Sequence, residues 1–207
     1  MLITDDWYPA IQKSNVHLIT DNIKKINEHG VVTCNDKEYE VDTIVWSTGY
    51  NVHNCLIEFY GQKGIKLQDQ WSLSTQAYRG VTVPNFPNFF ILLGPNSALG
   101  HNSVLIMIES QFDYIIDCLK YMKKNQYEVL VVNANVCNQY NKEIQKKLKH
   151  TVWQEGGCCS WYQDKLGNNT TLWPGFTWTY CLLMKHFDYQ NYQFEKRHDD
   201  NEKNAIQ

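Results

Sequence analysis

The stretch Gly94-Pro95-Asn96-Ser97-Ala98-Leu99-Gly100-His101-Asn102-Ser103 joins an apolar run, Phe89 to Leu93, to a long segment of helical periodicity. Glycine, proline and asparagine at such a junction suit a buried strand that breaks and enters a helix through small polar residues. A helix start of this kind presents unpaired backbone N–H groups and the positive end of the helix dipole, which together hold an anion or a polarised carbonyl. The helix N-terminus after this stretch is therefore a candidate site for such a group. On these ten residues alone, a plain strand-to-helix connection with Asn102 or Ser103 as N-cap is the stronger reading.

Two further stretches carry weaker or less regular signals. Asp42 to Tyr50, DTIVWSTGY, reads as a buried strand around Ile44-Val45-Trp46 that opens into the turn Ser47-Thr48-Gly49. The segment GGCCSWYQDKLGNNTTLWPGFTWTY, from Gly156, has no periodicity and many rings, which suits either a loop pinned by aromatic packing or a loop lining a site. His53 and His101 lack partners at ligand spacing, so a structural role is the stronger reading for each. Asp5 and Asp6 with Tyr8 read as an exposed acidic turn in preference to a ligand contact. HExxH, GxSxG, Walker and GxGxxG motifs are all absent.

The elements that must position these residues follow from pattern. Val16 to Thr20 reads as a short strand, and Gly30 to Val41 as a hairpin turning at Asn35-Asp36. The stretch from Asn51 to Pro87 is turn-rich and reads as loop that covers the core without building it, and Phe89 to Leu93 as a strand buried on both faces. Val104, Ile108, Phe112, Ile115, Leu119 and Met122 recur at spacings of four and three, predicting a helix of about five turns with that face inward. Glu128 to Val132 reads as a strand, Tyr140, Ile144 and Leu148 mark a second amphipathic helix, and the charged tail after Phe194 is expected to fray.

Composition excludes partners more than it names them. A net charge of -3 and a pI of about 6.1 leave no electrostatic footprint for nucleic acid or an anionic membrane. No apolar stretch approaches a membrane span, and the first residues are acidic where a signal peptide is basic, so a cytoplasmic protein is expected. Seven cysteines without a CxxC pair read as reduced thiols, with neither zinc nor a disulfide framework.

Taken in order, DDWYPA, DTIVWSTGY, YRGVTVPNFPNFFILLGPNSALGHNSVLIMIESQFDYI and TVWQEGGCCSWYQDKLGNNTTLWPGFT resemble the C-terminal half of class B flavoprotein monooxygenases, the Baeyer-Villiger and flavin-containing monooxygenases. The resemblance runs from about residue 2 to 180, and its serial order is more specific than any single motif. It implies an α/β fold of two Rossmann-like dinucleotide-binding domains, one for FAD and one for NADPH, present in part. Residues 1–49 would be the terminal strands of the NADPH domain, with Ser47-Thr48-Gly49 at the family's Ala-Thr-Gly crossover, serine replacing alanine; residues 50–194 would be the returning part of the FAD domain, and 195–207 a polar tail. Gly94, Pro95, Asn102, Ser103 and Val104 would then face the flavin, Thr48 and Gly49 would be cofactor-binding, and Trp161 would lie near the nicotinamide nucleotide. The implied chemistry is NADPH reduction of FAD, uptake of O2, and attack of a C4a-peroxyflavin on a ketone or a soft nitrogen or sulfur centre. The junction and the Trp-Pro-Gly segment lean toward the ketone-oxidising branch.

The family's glycine-rich motifs for FAD and NADPH, its fingerprint with central His and terminal Trp, and its catalytic Arg are all expected upstream of Met1, so no catalytic residue is assigned within the chain. The chain is expected to be a half-enzyme that binds FAD poorly alone and acts only with an N-terminal half-protein. The other reading is a non-catalytic remnant or interaction subunit that binds a partner through an exposed sheet edge.

Overall fold

A computed structural model describes residues 4–49, 57–157 and 160–196. The chain divides into two units, Met1–Asn51 and Val52–Gln207.

The first unit begins with the short helix α1 (Trp7–Ile11) and continues as an antiparallel meander of β1 (Ile23–Asn27), β2 (Gly30–Thr33) and β3 (Glu38–Glu40). The hairpin expected around Asn35-Asp36 joins β2 to β3: Asp36 takes φ 62°, and the Thr33 amide donates to the Lys37 carbonyl at 3.0 Å. Asn27 Oδ1 closes the other turn by accepting from the amides of His29 and Gly30. The strand expected at Val16 to Thr20 does not form, and β1 forms instead. Ile44-Val45-Trp46 is also not a strand, and Val45 is 80% and Trp46 67% exposed. A strand exists only where its backbone groups meet a partner, and no described residue of this unit pairs with either segment.

The second unit is built on α3 (Val104–Asn125), which follows the four-residue helix α2 (Leu67–Gln70). Ser103 caps α3 by accepting from the Leu105 amide; Lys123 and Lys124 sit at the negative end of its dipole, and Gln126 ends it in the left-handed conformation. Next come β4 (Tyr127–Val132), α4 (Ala134–Leu148, capped by Asn133), the single turn α5 (Val152–Glu155), α6 (Thr177–Met184) and β5 (Tyr192–Lys196). β4 and β5 pair antiparallel, with Val132 opposite Tyr192. Glu195 and Lys196, expected to fray, are therefore strand; the tail from 197 onward lies outside the described residues.

Three expectations fail here. Phe89 to Leu93 is not a buried strand: Phe90 makes one isolated bridge to Thr82, and Leu92 and Leu93 are exposed. The preceding turn-rich segment builds core rather than covering it, since Ala77, Tyr78, Val81, Val83 and Phe86 are all buried. The face of α3 that packs is Met107, Gln111, Tyr114, Cys118 and Met122, while Phe112 and Leu119 are exposed. α3 is apolar on two faces, so periodicity alone does not choose which face meets the core, and a buried polar network claims the face that bears Gln111 and Tyr114. In that network Arg79 meets the carboxylate of Asp188 at 2.8 Å, while Tyr78, Tyr114 and Asn191 also donate to it.

Candidate functional site

Within the second unit, the junction after Leu93 is a tight, strained turn stitched to its surroundings. Leu93 and Asn96 take φ of 53° and 56°, left-handed conformations that cost a non-glycine residue about 1–2 kcal/mol. Gly94 lies so close to Gly80 that a Cβ there would stand 2.4 Å from the Gly80 carbonyl oxygen. Its glycine is thus required by the approach of two backbone segments, as the plain strand-to-helix reading expects of a tight connection. The Gly94 carbonyl accepts from the Ser97 hydroxyl at 2.6 Å, and buried Asn96 donates to the carbonyls of Asn169 and Leu172. A single parallel bridge, Ala98 to Leu172, ties the junction to the segment leading into α6.

The start of α3 is where ligand chemistry is available. Ser103 accepts from the Leu105 amide at 3.3 Å, and its own amide donates to Asn102 Oδ1 at 2.7 Å. Among the described residues, the amides of Val104, Ile106 and the buried Met107 have no acceptor, and Asn102 and Ser103 are exposed. Open amides at the positive end of a 22-residue helix suit an oxygen that carries or develops negative charge, which fits the carbonyl edge of a flavin ring.

The aromatic loop reaches the same junction. Trp153 presses on Gly100, where a Cβ would fall 2.6 Å from the ring, and Trp153 meets Tyr162 edge-on at 5.6 Å. Trp161 packs at 4.5 Å against Tyr162 and is 51% exposed. Asp164 holds the loop's hairpin by accepting from the amides of Leu166 and Asn168, and the Thr170 amide donates to the Tyr162 carbonyl. Asn102 contacts Thr177 at the head of α6 through a 3.4 Å hydrogen bond. Gly94, Pro95, Asn102, Ser103, Val104 and Trp161 therefore belong to one connected region of this unit.

Thr48 and Gly49 belong to the other unit. Both are exposed, and Gly49 takes φ 83° with open space where a Cβ would be. Asp5 and Asp6 are exposed beside α1, His101 is exposed, and His53 lies outside the described residues, as do Cys55, Cys158 and Cys159. The described thiols Cys34, Cys118, Cys137 and Cys181 are free. No group of His, Cys, Asp and Glu among the described residues could hold a metal ion, and none of their helices is long and apolar enough to cross a membrane.

Sequence reasoning missed Gln111, which is wholly buried on α3. Its Oε1 accepts from the Leu93 amide at 2.7 Å and its Nε2 donates to the Tyr180 hydroxyl at 2.8 Å, which in turn donates to the Arg79 carbonyl. A lone polar residue on an apolar helix face was the only signal available for it. Burial, first, raises the Tyr180 phenol well above the ordinary tyrosine range, so it stays a neutral hydroxyl in this network.

Over 195 residues, 93% of its length, the chain is 43% identical to a Baeyer-Villiger monooxygenase of Pseudomonas aeruginosa. The chain is homologous to the Baeyer-Villiger and FAD-binding monooxygenases. A second Baeyer-Villiger monooxygenase, from Streptomyces coelicolor, is 35% identical over 196 residues, and the FAD-binding monooxygenase ktnD of Aspergillus niger is 41% identical over 180. The chain spans little more than a third of the two Baeyer-Villiger relatives, 37% of the first and 38% of the second, and 29% of ktnD. Scanned against protein-family models, it matches none. Its fold matches a closed crystal structure of cyclohexanone monooxygenase with a TM-score of 0.72 at 22% identity, covering 94% of this chain and 38% of that one. An oxidized steroid monooxygenase bound to NADP matches with a TM-score of 0.70 at 21% identity, covering 93% of this chain and 38% of that one. The partial α/β flavoprotein fold expected from the resemblance is the fold these structures share with the chain.

Proposed function

We propose that the chain forms part of a cytoplasmic FAD- and NADPH-dependent monooxygenase that inserts one oxygen of O2 into a ketone or a soft nitrogen or sulfur centre. The observation that carries this reading is the 43% identity to a Baeyer-Villiger monooxygenase across nearly the whole chain. Residues 1–49 serve as the terminal strands of the NADPH domain and residues 50–194 as the returning part of the FAD domain. Flavin, when bound, supplies the electron transfer and oxygen chemistry. The chain's own residues bind, orient and shield: the open amides of Val104 and Ile106 receive the carbonyl edge of the ring. Asn102 and Ser103 shape that helix entrance, with Leu93 to Asn96 fixing the approach to it. Trp161 offers a half-exposed ring to the nicotinamide nucleotide, and Thr48 and Gly49 form the small-residue crossover. The ring cluster of Trp153, Trp161 and Tyr162 helps keep water from the reacting centre.

The glycine-rich phosphate sites come, in this reading, from a complementing segment. Supporting it, α3 exposes an apolar stripe of Leu105, Phe112, Ile116 and Leu119 opposite its packed face, as a helix does when it lies between two layers. The second reading, a non-catalytic subunit, draws on the same stripe. Co-expression with a segment carrying the family's glycine-rich motifs and catalytic Arg decides between them. A complex that retains FAD and oxidises NADPH supports the enzyme, and a complex that forms without retaining FAD leaves the interaction role.

A further inference from the structure

We propose that Gln111 is a positioning residue that sets the flavin-facing junction and the α6 segment in one fixed geometry; this rests on the functional reading above. Gln111 and Val104 are seven residues apart and share a face of α3, so the carboxamide sits two turns behind the open amides at the helix start. Its carbonyl oxygen takes the amide of Leu93, the residue that enters the turn in a left-handed conformation. Its amide nitrogen takes the hydroxyl of Tyr180 on α6, and that hydroxyl continues to the backbone of Arg79 beside Gly80, the glycine on which Gly94 rests. One side chain thus bonds the entrance of the turn and α6, and through α6 the floor under Gly94. Both amide ends are used and the residue is wholly buried, so a shift of α6 transmits to the Leu93 backbone without a solvent-filled gap to absorb it. α6 also anchors the aromatic segment, since Trp173 packs edge-on against Tyr180 at 5.1 Å. Gln111 therefore couples the flavin side of the site to the loop that carries Trp161.

Hydrogen exchange at the Leu93 amide, followed in the full chain without cofactor, tests this independently of flavin binding. Gln111→Leu should speed Leu93 exchange about tenfold relative to the other α3 and α6 amides, the scale of one lost hydrogen bond. Gln111→Glu, which keeps the acceptor, should restore most of the protection. Tyr180→Phe, which leaves α6 packing intact, should speed Leu93 exchange by a smaller factor and keeps the test open should Gln111→Leu fail to fold. Unchanged Leu93 exchange in Tyr180→Phe or in Gln111→Leu, or uniform acceleration across the core, overturns the proposal. In the FAD-loaded complex, Gln111→Leu should also shift the visible flavin absorption band, with Gln111→Glu returning it toward wild type. A wild-type complex that never retains FAD defeats the functional reading, while the exchange result still decides the coupling.

Discussion

Val45 lies in a run that reads as a buried strand and Val83 in a turn-rich stretch that reads as covering loop, yet Val45 is 80% exposed and Val83 is wholly buried. The difference belongs to their units. In Val52–Gln207, Val81 packs in the cluster that holds Tyr114, Ile144, Tyr180 and Tyr192, and Val83 in a second cluster with Leu67, Ala77 and Phe86. In Met1–Asn51, the described residues that become buried are Gly30, Val32 and Thr33, while Ile23, Ile26, Val45 and Trp46 stay exposed. An apolar run records the burial it needs in a finished fold, and it is satisfied only where the covering layer is within reach. Among the described residues, the first unit leaves most of its large apolar side chains exposed, and the second holds a core of its own.

The sharpest way to break that contrast is to attack what holds the second unit together. Asp188 and Arg79 are each 11% exposed at the side chain, and Asp188 accepts from Tyr78, Tyr114 and Asn191 besides its ion pair. Asp188→Ala leaves a buried guanidinium unpaired and should cost about 3–5 kcal/mol in denaturant unfolding of this unit. A loss below about 1 kcal/mol would mean that the unit's core does not depend on the network.

Alkaline pH probes the same core more gently. Burial pushes the thiols of Cys118 and Cys137 and the phenol of Tyr78 up to about 12, with the hydrogen bond to Asp188 adding to the rise at Tyr78. These groups are raised in the folded state, so their contribution is fully present below the unfolded values and is lost as pH climbs. Stability of the second unit should be flat to about pH 9 and fall between 9 and 12, by about 1.4 kcal/mol per pH unit for each group that ionises only when unfolded. Alkylation at pH 8 checks the sign: exposed Cys34 in the first unit should react while Cys118 and Cys137 are protected.

How much of this was legible in the sequence follows the same division. The hairpin at Asn35-Asp36, α3, α4 and β4 are written in local turn chemistry and periodicity, and each forms. The segments at 44–46 and 89–93 were misread because apolar composition alone does not say which distant segment will pair with or cover them. At the site, the helix entrance at Asn102, Ser103 and Val104 was visible from capping residues. Gln111 was not, because nothing local reveals that its partners are Leu93 and Tyr180, 18 and 69 residues away. That the tight connection at Gly94 is set by Gly80, fourteen residues earlier, was hidden likewise.

A smaller effect sharpens the account of the core itself. The Tyr140 hydroxyl is buried and has no hydrogen-bond partner among the described residues, while its ring packs edge-on against Tyr78 at 5.3 Å. Tyr140→Phe removes the unmatched group and keeps the ring, so stability should stay within about 1 kcal/mol of wild type or rise. A loss above that would place an ordered water or another partner on the hydroxyl.

The two valines that opened the comparison give its cleanest contrast, with the smallest expected effect at Val45. Val83→Ala removes methyl groups from a fully buried position and should destabilise by ~2 kcal/mol, whereas Val45→Ala removes the same atoms from an exposed one and should change stability by less than about 0.5 kcal/mol. The informative measurement repeats Val45→Ala after the complementing segment is bound. If the first unit's exposed face is the face such a segment covers, the cost at Val45 should rise toward that at Val83, because burial and not residue type sets the penalty. If Val45→Ala stays neutral in a complex that retains FAD, the apolar character of residues 44–46 serves something other than burial against that segment.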